Sequence, residues 1–220
     1  MTEKRVEVNG EELVLDSAGA LWWPSERALV FADLHFEKGS FYAFTGQMLP
    51  PYDTRTTLKR MTALFDAYKP ALAVALGDSF HDRDAPNRLD DFERTQLASL
   101  GERADWIWIA GNHDPVPPSW LKGTITEEVA IGRLVFRHEP SDLTAHGEIA
   151  GHLHPCKTVT RRGTSLRRRC FASDGRRLVM PSFGAYTGGL DVRDIALRSL
   201  FPKDFLAYVL GQARVYAVAA

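Results

Sequence analysis

The sequence predicts an α/β fold built on a parallel sheet, and its first half carries this prediction. Short apolar, β-branched runs recur at 29–32, 71–76 and 106–110, and each ends in a polar cluster. Runs of this length without alternation are typical of strands buried on both faces. Helical patterns separate the runs, and the order strand, helix, strand favours parallel pairing with right-handed crossovers.

Two helices are expected between these strands. The first covers 53–68, where apolar residues recur at helical spacing and Asp53 can cap the first turn. Pro70 ends this helix, because proline disfavours helical backbone in the residue before it. The second helix covers about 89–100 and carries Phe92 on its apolar face.

The second half predicts short strands and turns. Apolar runs at 134–136 and 149–150 again end in polar clusters, and a further helix is expected only around 205–210. The aromatic stretch 36–52 reads as a long loop, and long loops without structure of their own are often functional. It is a candidate lid or stacking surface for bases, with core packing as the alternative.

Composition and charge describe one ordinary globular domain over 1–220, with 45% hydrophobic and 25% charged residues. No apolar run is long enough to span a membrane, and the charged N-terminus does not fit a signal peptide, so a cytoplasmic location is expected. The formal net charge of −1 does not indicate a class of partner. The sequence leaves the oligomeric state open. Two cysteines are too few for a disulfide framework or a thiolate zinc site.

Polar side chains gather where the predicted strands end: Asp33, His35, Asp78, Asn112, His113, His138, His152 and His154. Ligands of open α/β sheets bind beyond the carboxyl ends of the strands, so we expect these side chains to meet. Their oxygen and nitrogen atoms suit divalent ions such as Mn, Fe or Zn. The set is large enough for two ions, which need a bridging carboxylate, and Asp78 is the natural bridge.

The same residues carry a resemblance to a known family. The motifs are Asp33-x-His35, Gly77-Asp78, Gly111-Asn112-His113-Asp114, His138 and Gly151-His152-Leu153-His154. In this order, over about 30–155, they resemble the motif series of the calcineurin-like metallophosphoesterases. The resemblance implies a four-layer αββα sandwich and a hydrolase of phosphate esters that uses two divalent metal ions, with Mn expected first.

The resemblance also implies a role for each site residue. One metal is expected at Asp33, His35, Asp78 and His154. The other is expected at Asp78, Asn112, His138 and His152. His113 is implied to contact the phosphate or protonate the leaving oxygen, and Asp114 to orient His113. Hydrolysis is expected through a hydroxide that bridges the metals, because two such ions lower the pKa of water to near neutrality.

Four stretches resemble a narrower group, the ligase-associated DNA damage response endonucleases. They are DLHFEKG at 33–39, PPYDTR at 50–55, LGDSFHD at 76–82 and PSFGAYTGG at 181–189. This resemblance implies a DNA endonuclease of a repair system that contains a DNA ligase and a helicase as possible partners.

Two other functions remain open. The same chemistry can act on a nucleotide or another small phosphate ester, and a scaffold can keep the fold after losing catalysis. A protein phosphatase is disfavoured, because Gly77-Asp78 continues as Ser-Phe-His-Asp and lacks the Asp-Arg-Gly of those enzymes.

Candidate substrate contacts are basic side chains and one histidine. Residues 156–190 form a basic, β-rich segment in which Arg161 and Arg162 can neutralise nucleic-acid phosphates, with a solvated hairpin as the alternative. The consecutive arginines 167–169 must alternate between the two faces of a strand, so they cannot all meet one DNA strand.

Three further candidates lie in the first half of the chain. Lys38 and Arg55 suit a phosphate, or else form surface salt bridges. His81 either approaches the substrate and supports the metal ligands, or is a hydrogen-bonded loop residue.

Overall fold

Two mixed β-sheets face each other across one hydrophobic core in the computed structural model. It describes residues 3–114, 118, 120–141, 146–161 and 163–220, with Arg161 described by its backbone alone. The first sheet runs in chain order through β1 (Lys4–Val8), β2 (Glu11–Leu15), β3 (Leu21–Trp23), β4 (Ala28–Ala32), β5 (Leu72–Leu76), β6 (Asp105–Ile109) and β7 (Thr124–Thr126).

The second sheet contains the strands β8 (Glu128–Ile131), β9 (Leu134–Arg137), β10 (Glu148–Ala150), β11 (Cys156–Arg161), β12 (Thr164–Ser173), β13 (Arg177–Val179), β14 (Leu206–Leu210) and β15 (Val215–Ala219). Its order is β15-β14-β12-β13-β10-β9-β8, and β11 pairs with β12. Strands β4 to β7 are mutually parallel, as are β9, β10 and β13. The buried strands predicted in the first half are confirmed.

Helices cover the outer faces of both sheets. They are α1 (Lys38–Phe44), α2 (Asp53–Tyr68), α3 (Ala85–Arg88), α4 (Asp91–Gly101) and α5 (Ile195–Arg198). Helices α2 and α4 pack on the first sheet, whereas α5 packs on the second through Leu197. The layers are therefore α, β, β and α, which confirms the predicted sandwich, although the fourth layer is a single helical turn with its flanking loop. None of the described helices is both long and apolar enough to cross a membrane.

Helix α2 has the predicted bounds, but its first turn differs from the prediction. Tyr52 is the N-cap residue, and Asp53 is the first helical residue. The Asp53 carboxylate accepts a hydrogen bond from the backbone N–H of Gly39 at 2.9 Å. Asp53 therefore ties the first turn of α1 to α2 instead of capping α2.

Three other expectations are wrong in detail. Phe92 is 56% exposed, because α4 turns Leu97 and Leu100 inward. The stretch 36–52 contains α1, which is fixed by aromatic contacts with the loop after β5. The segment at 205–210 is strand β14, because hydrogen bonding to β12 and β15 on both of its edges overrides its helical pattern.

Candidate metal centre

The strand ends bring every predicted metal ligand to one edge of the two sheets. The ligand atoms of Asp33, His35 and His154 lie within 4.8 Å of one another, and so do those of Asp78, His138 and His152. His138 Nδ1 of the second group lies 3.7 Å from Asp33 Oδ1 of the first, so the two groups are adjacent.

Asp78 belongs to the second group and also reaches the first. Its Oδ2 atom is 3.8 Å from His35 Nε2 and 3.5 Å from His138 Nε2. The amide oxygen of Asn112 is 2.9 Å from His138 Nε2, which brings the predicted amide ligand to the second group. The Asp78 carboxylate is therefore within reach of imidazoles from both groups.

The backbone at this edge is unusual. Asp33, His35, Asp78, His152 and His154 have φ between +44° and +65°, in the left-handed region that such residues rarely adopt. Each such residue costs roughly 1–3 kcal/mol and persists only where its surroundings impose it. All five of these residues are candidate metal ligands, so backbone strain is concentrated at the candidate metal centre.

The polar atoms of the site suit cations. His35 Nε2 and His154 Nε2 are buried and make no hydrogen bond, which is costly unless another partner binds them. Burial, with the neighbouring His154, holds the pKa of His35 far below its usual range. Burial also lowers the pKa of His152, with His138 adding to the effect. Neutral imidazoles are the form that binds metal, so these residues fit the divalent ions that the family uses.

His113 is held by His81. His113 Nδ1 lies 2.7 Å from the carbonyl oxygen of His81, and the two rings stack at 5.2 Å. His113 Nε2 points into the site, 3.9 Å from Asp78 Oδ2. Burial lowers the pKa of His81 to about 4, with Lys38 contributing next. His81 is therefore buried at the site and positions His113 through its backbone.

Asp114 does not orient His113, contrary to the expectation. Its carboxylate accepts a hydrogen bond from the backbone N–H of Phe80 at 2.9 Å, which joins the loop after β6 to the loop after β5. Burial raises the pKa of Asp114 to about 7, and the Asp78 charge adds to this. The position expected for Asp114 is taken by the His81 carbonyl, because the β5 loop runs directly behind the His113 ring.

The candidate substrate residues separate into two kinds. Lys38 is half-buried, and burial lowers its pKa, whereas the charges of Asp53, Asp78 and Asp33 act to raise it, so Lys38 is within electrostatic range of two candidate ligands. Arg55 is not brought to the site, because its guanidinium pairs with Asp90 and Glu93 at the start of α4.

The two remaining candidates are Arg161 and Arg162. Arg161 is the last residue of β11, and its side chain is not described. Arg162 lies outside the described residues.

The sequence analysis gave the loop at 181–189 no structural role at the site. The backbone N–H of Gly184 donates to the carbonyl of Asp33 at 3.1 Å. Gly189 lies so close to the carbonyl of His154 that a Cβ atom there would overlap it. This loop therefore supports two ligand-bearing segments from behind. The PSFGAYTGG stretch could have marked this loop as functional in the sequence. Its supporting role, however, is visible only in the tertiary contacts.

A sandwich whose strand ends gather two groups of imidazoles and carboxylates defines a metal-dependent phosphoesterase. The Calcineurin-like phosphoesterase family model matches residues 26–171, so the chain belongs to the calcineurin-like phosphoesterase family. No curated protein sequence gives a significant match.

The solved structures that are similar to the chain include a nuclease and a phosphoesterase. The nuclease MPE of Pseudomonas putida is 27% identical, with a TM-score of 0.76, over 99% of this chain and 100% of that one. Yfce, a phosphoesterase from E. coli, is 15% identical, with a TM-score of 0.43, over 87% of this chain and 98% of that one.

Proposed function

We propose that this protein is a two-metal phosphodiesterase that cleaves DNA. The observation that carries the proposal is the reach of Asp78 to both groups of ligands, whose buried imidazole nitrogens include two without hydrogen-bond partners. The end-to-end similarity to a nuclease supports DNA as the substrate. A role in DNA repair, beside a ligase and a helicase, is supported only by the resemblance of the four sequence stretches.

The ligands divide into two sets that share Asp78. Asp33, His35, Asp78 and His154 would hold one ion. Asp78, Asn112, His138 and His152 would hold the other. When bound, two divalent ions, Mn or alternatively Fe or Zn, supply Lewis acidity to the reacting water and to the phosphoryl oxygens.

His113 would assist departure of the leaving oxygen. A carbonyl oxygen can accept a hydrogen bond but cannot donate one, so the His81 carbonyl fixes the proton of the neutral His113 ring on Nδ1. The Nε2 atom of His113 is left facing the site. When Nε2 is protonated, it can donate to the leaving oxygen as that oxygen gains charge. The Lys38 amine would contact a non-bridging phosphoryl oxygen and stabilise its developing charge.

The test uses purified protein with Mn²⁺ and three substrates: bis-p-nitrophenyl phosphate, p-nitrophenyl phosphate and a DNA oligonucleotide. The proposal predicts cleavage of the diester and of DNA. Turnover of the small esters without cleavage of DNA would favour a small-molecule phosphodiesterase or phosphatase. Absence of turnover with all three would favour a non-catalytic scaffold.

The shared position of Asp78 has its own test. Asp78→Asn removes the charge that would hold both ions together, so both metal equivalents and the diesterase activity should be lost. Asp66→Asn is the matched control, because Asp66 lies on the exposed face of α2 and, among the described residues, forms an ion pair with Arg103 alone. Metal analysis that finds two equivalents in Asp78→Asn would contradict the bridging role.

A further inference from the structure

A two-stranded ribbon leaves the second sheet at the edge that carries the metal ligands. Residues 157–161 of β11 pair with 164–168 of β12, whereas β12 pairs with β14 only from Cys170 onward. Strand β11 begins two residues after His154, which follows the end of β10. The strands of the ribbon therefore extend outward from the site, beyond the body of the sheet.

A basic groove lies between this ribbon and the loop at 187–189. One cavity of about 460 Å³ is lined by Cys156, Arg167, Arg168, Arg169, Thr187, Gly188 and Gly189. A second cavity of about 450 Å³ shares the three arginines and Thr187 and continues to Ser17 and Gln212. Among the described residues that line the two cavities there is no Asp or Glu. We call the two cavities together the arginine groove.

The three arginines have different surroundings. Arg169 is mostly buried and donates to the carbonyl oxygens of Ser182, Phe183 and Gly184, so it is part of the fold. Arg167 is exposed and donates to the carbonyl of Gly189, which orients its guanidinium along the groove. This division could not be read from three consecutive arginines.

Arg168 faces another cation. It is exposed and lies directly opposite Lys157 in the antiparallel register of the ribbon. Like charges at directly opposed positions destabilise a strand pair. Within the described part of the chain, no carboxylate lies within ion-pair distance of Arg167, Arg168 or Lys157, although the charge of Asp191 acts on Arg167 at longer range. An anion from outside the fold would relieve this repulsion.

The groove adjoins the metal centre. Gly189 carries the carbonyl that holds Arg167, and the same glycine is packed against the carbonyl of His154. Gly189 alone thus separates the Arg167 guanidinium from the loop that carries His154. The arginine groove begins beside the candidate metal centre and extends through two adjoining cavities. Its length therefore exceeds the space that a single phosphate group occupies.

We propose that the arginine groove binds the phosphodiester backbone of the nucleic-acid strand next to the cleaved phosphate. The contacting cations are Arg167 and Arg168, which leave opposite faces of β12 but both line the groove. The inference rests on the proposed nuclease function. Guanidinium groups suit phosphates because their planar donors match pairs of phosphate oxygens. The contacts neutralise phosphate charge without reading sequence, so they contribute salt-dependent affinity.

The test compares Arg167→Gln, Arg168→Gln and the double variant with Arg176→Gln. Arg176 is exposed in the turn before β13, lines neither cavity and loses the same charge, so it is the matched control. The KM for a single-stranded oligonucleotide should rise about 5-fold for each groove arginine, the upper range for an exposed ion pair. The slope of log affinity against log salt should fall by about 0.7 for each lost contact to a single strand.

Turnover of bis-p-nitrophenyl phosphate, which is too small to reach along the groove, separates a binding defect from a folding defect. If the wild type cleaves DNA and the double variant matches Arg176→Gln in KM and salt slope, the groove inference is overturned and the nuclease proposal stands. If the wild type hydrolyses the small diester but neither cleaves nor binds DNA, both proposals are overturned.

Discussion

Replacing Gly111 with alanine tests how closely the loops after β5 and β6 must approach each other. A Cβ at this glycine would lie 2.1 Å from the amide nitrogen of Asp78 and 2.9 Å from Asp114 Oδ1, whereas real Cβ atoms essentially never come within 3.0 Å of a neighbour. Gly111 does not have a left-handed φ, so alanine meets no conformational penalty there. The effect of the substitution is therefore purely steric.

The magnitude follows from this overlap. The atom met first is a backbone nitrogen, which cannot rotate away, so the β5 loop must move by about 1 Å for the new Cβ to fit. Misplacing catalytic groups by about 1 Å can cost about 100-fold in rate, and overpacking costs roughly 1–3 kcal/mol of stability. We expect kcat/KM for bis-p-nitrophenyl phosphate to fall about 100-fold, because Asp78 carries the proposed shared ligand.

The assay measures kcat/KM, bound metal and thermal stability for Gly111→Ala beside Gly101→Ala. Gly101 ends α4, and a Cβ there would meet only Lys122 Cβ at an ordinary 3.6 Å, so this control should retain activity. Wild-type kcat/KM and metal content in Gly111→Ala would refute the claim that contact between the two loops fixes Asp78.

Three further predictions concern charge and protonation. His113→Ala should lower kcat about 100- to 10,000-fold with both metals retained, as measured by steady-state kinetics and metal analysis, and undiminished turnover would exclude its proposed role. Glu148→Ala leaves the buried Arg177 without the carboxylate 2.8 Å from its Nε, so urea denaturation should show a loss of about 3–5 kcal/mol; an unchanged midpoint would contradict this. His81 has its pKa lowered to about 4 by burial, so its stabilising contribution is present above pH 6.5 and is lost as the pH falls through 4. Without metal, the melting temperature of the wild type should therefore fall more steeply than that of His81→Gln over this range, and parallel curves would contradict the assignment.

The layer architecture and helix α2 were predictable because their signals are local. The unbroken apolar runs that became β4, β5 and β6 mark strands covered on both faces, and the spacing of apolar residues over 53–68 marks one helix face. Strand β14 was not predictable in this way, because its hydrogen-bond partners lie in distant parts of the chain.

The candidate metal ligands were predictable for a topological reason. Each donor follows the end of a strand, and parallel strands deliver their ends to one edge of a sheet. The sequence could not indicate which groups support them. His113 contacts a carbonyl 32 positions away, and the Asp53 carboxylate binds a backbone N–H 14 positions away.

By itself, the sequence determined that oxygen and nitrogen donors would converge on Asp78, because chain order and strand direction carry that information. Only the tertiary structure decided that His81, and not Asp114, holds His113, and that Arg169 is built into the fold while Arg167 and Arg168 face solvent. The physical reason is that the hydrogen-bond partner and the burial of a side chain depend on which distant segments pack against it. Neither residue type nor spacing along the chain specifies that packing.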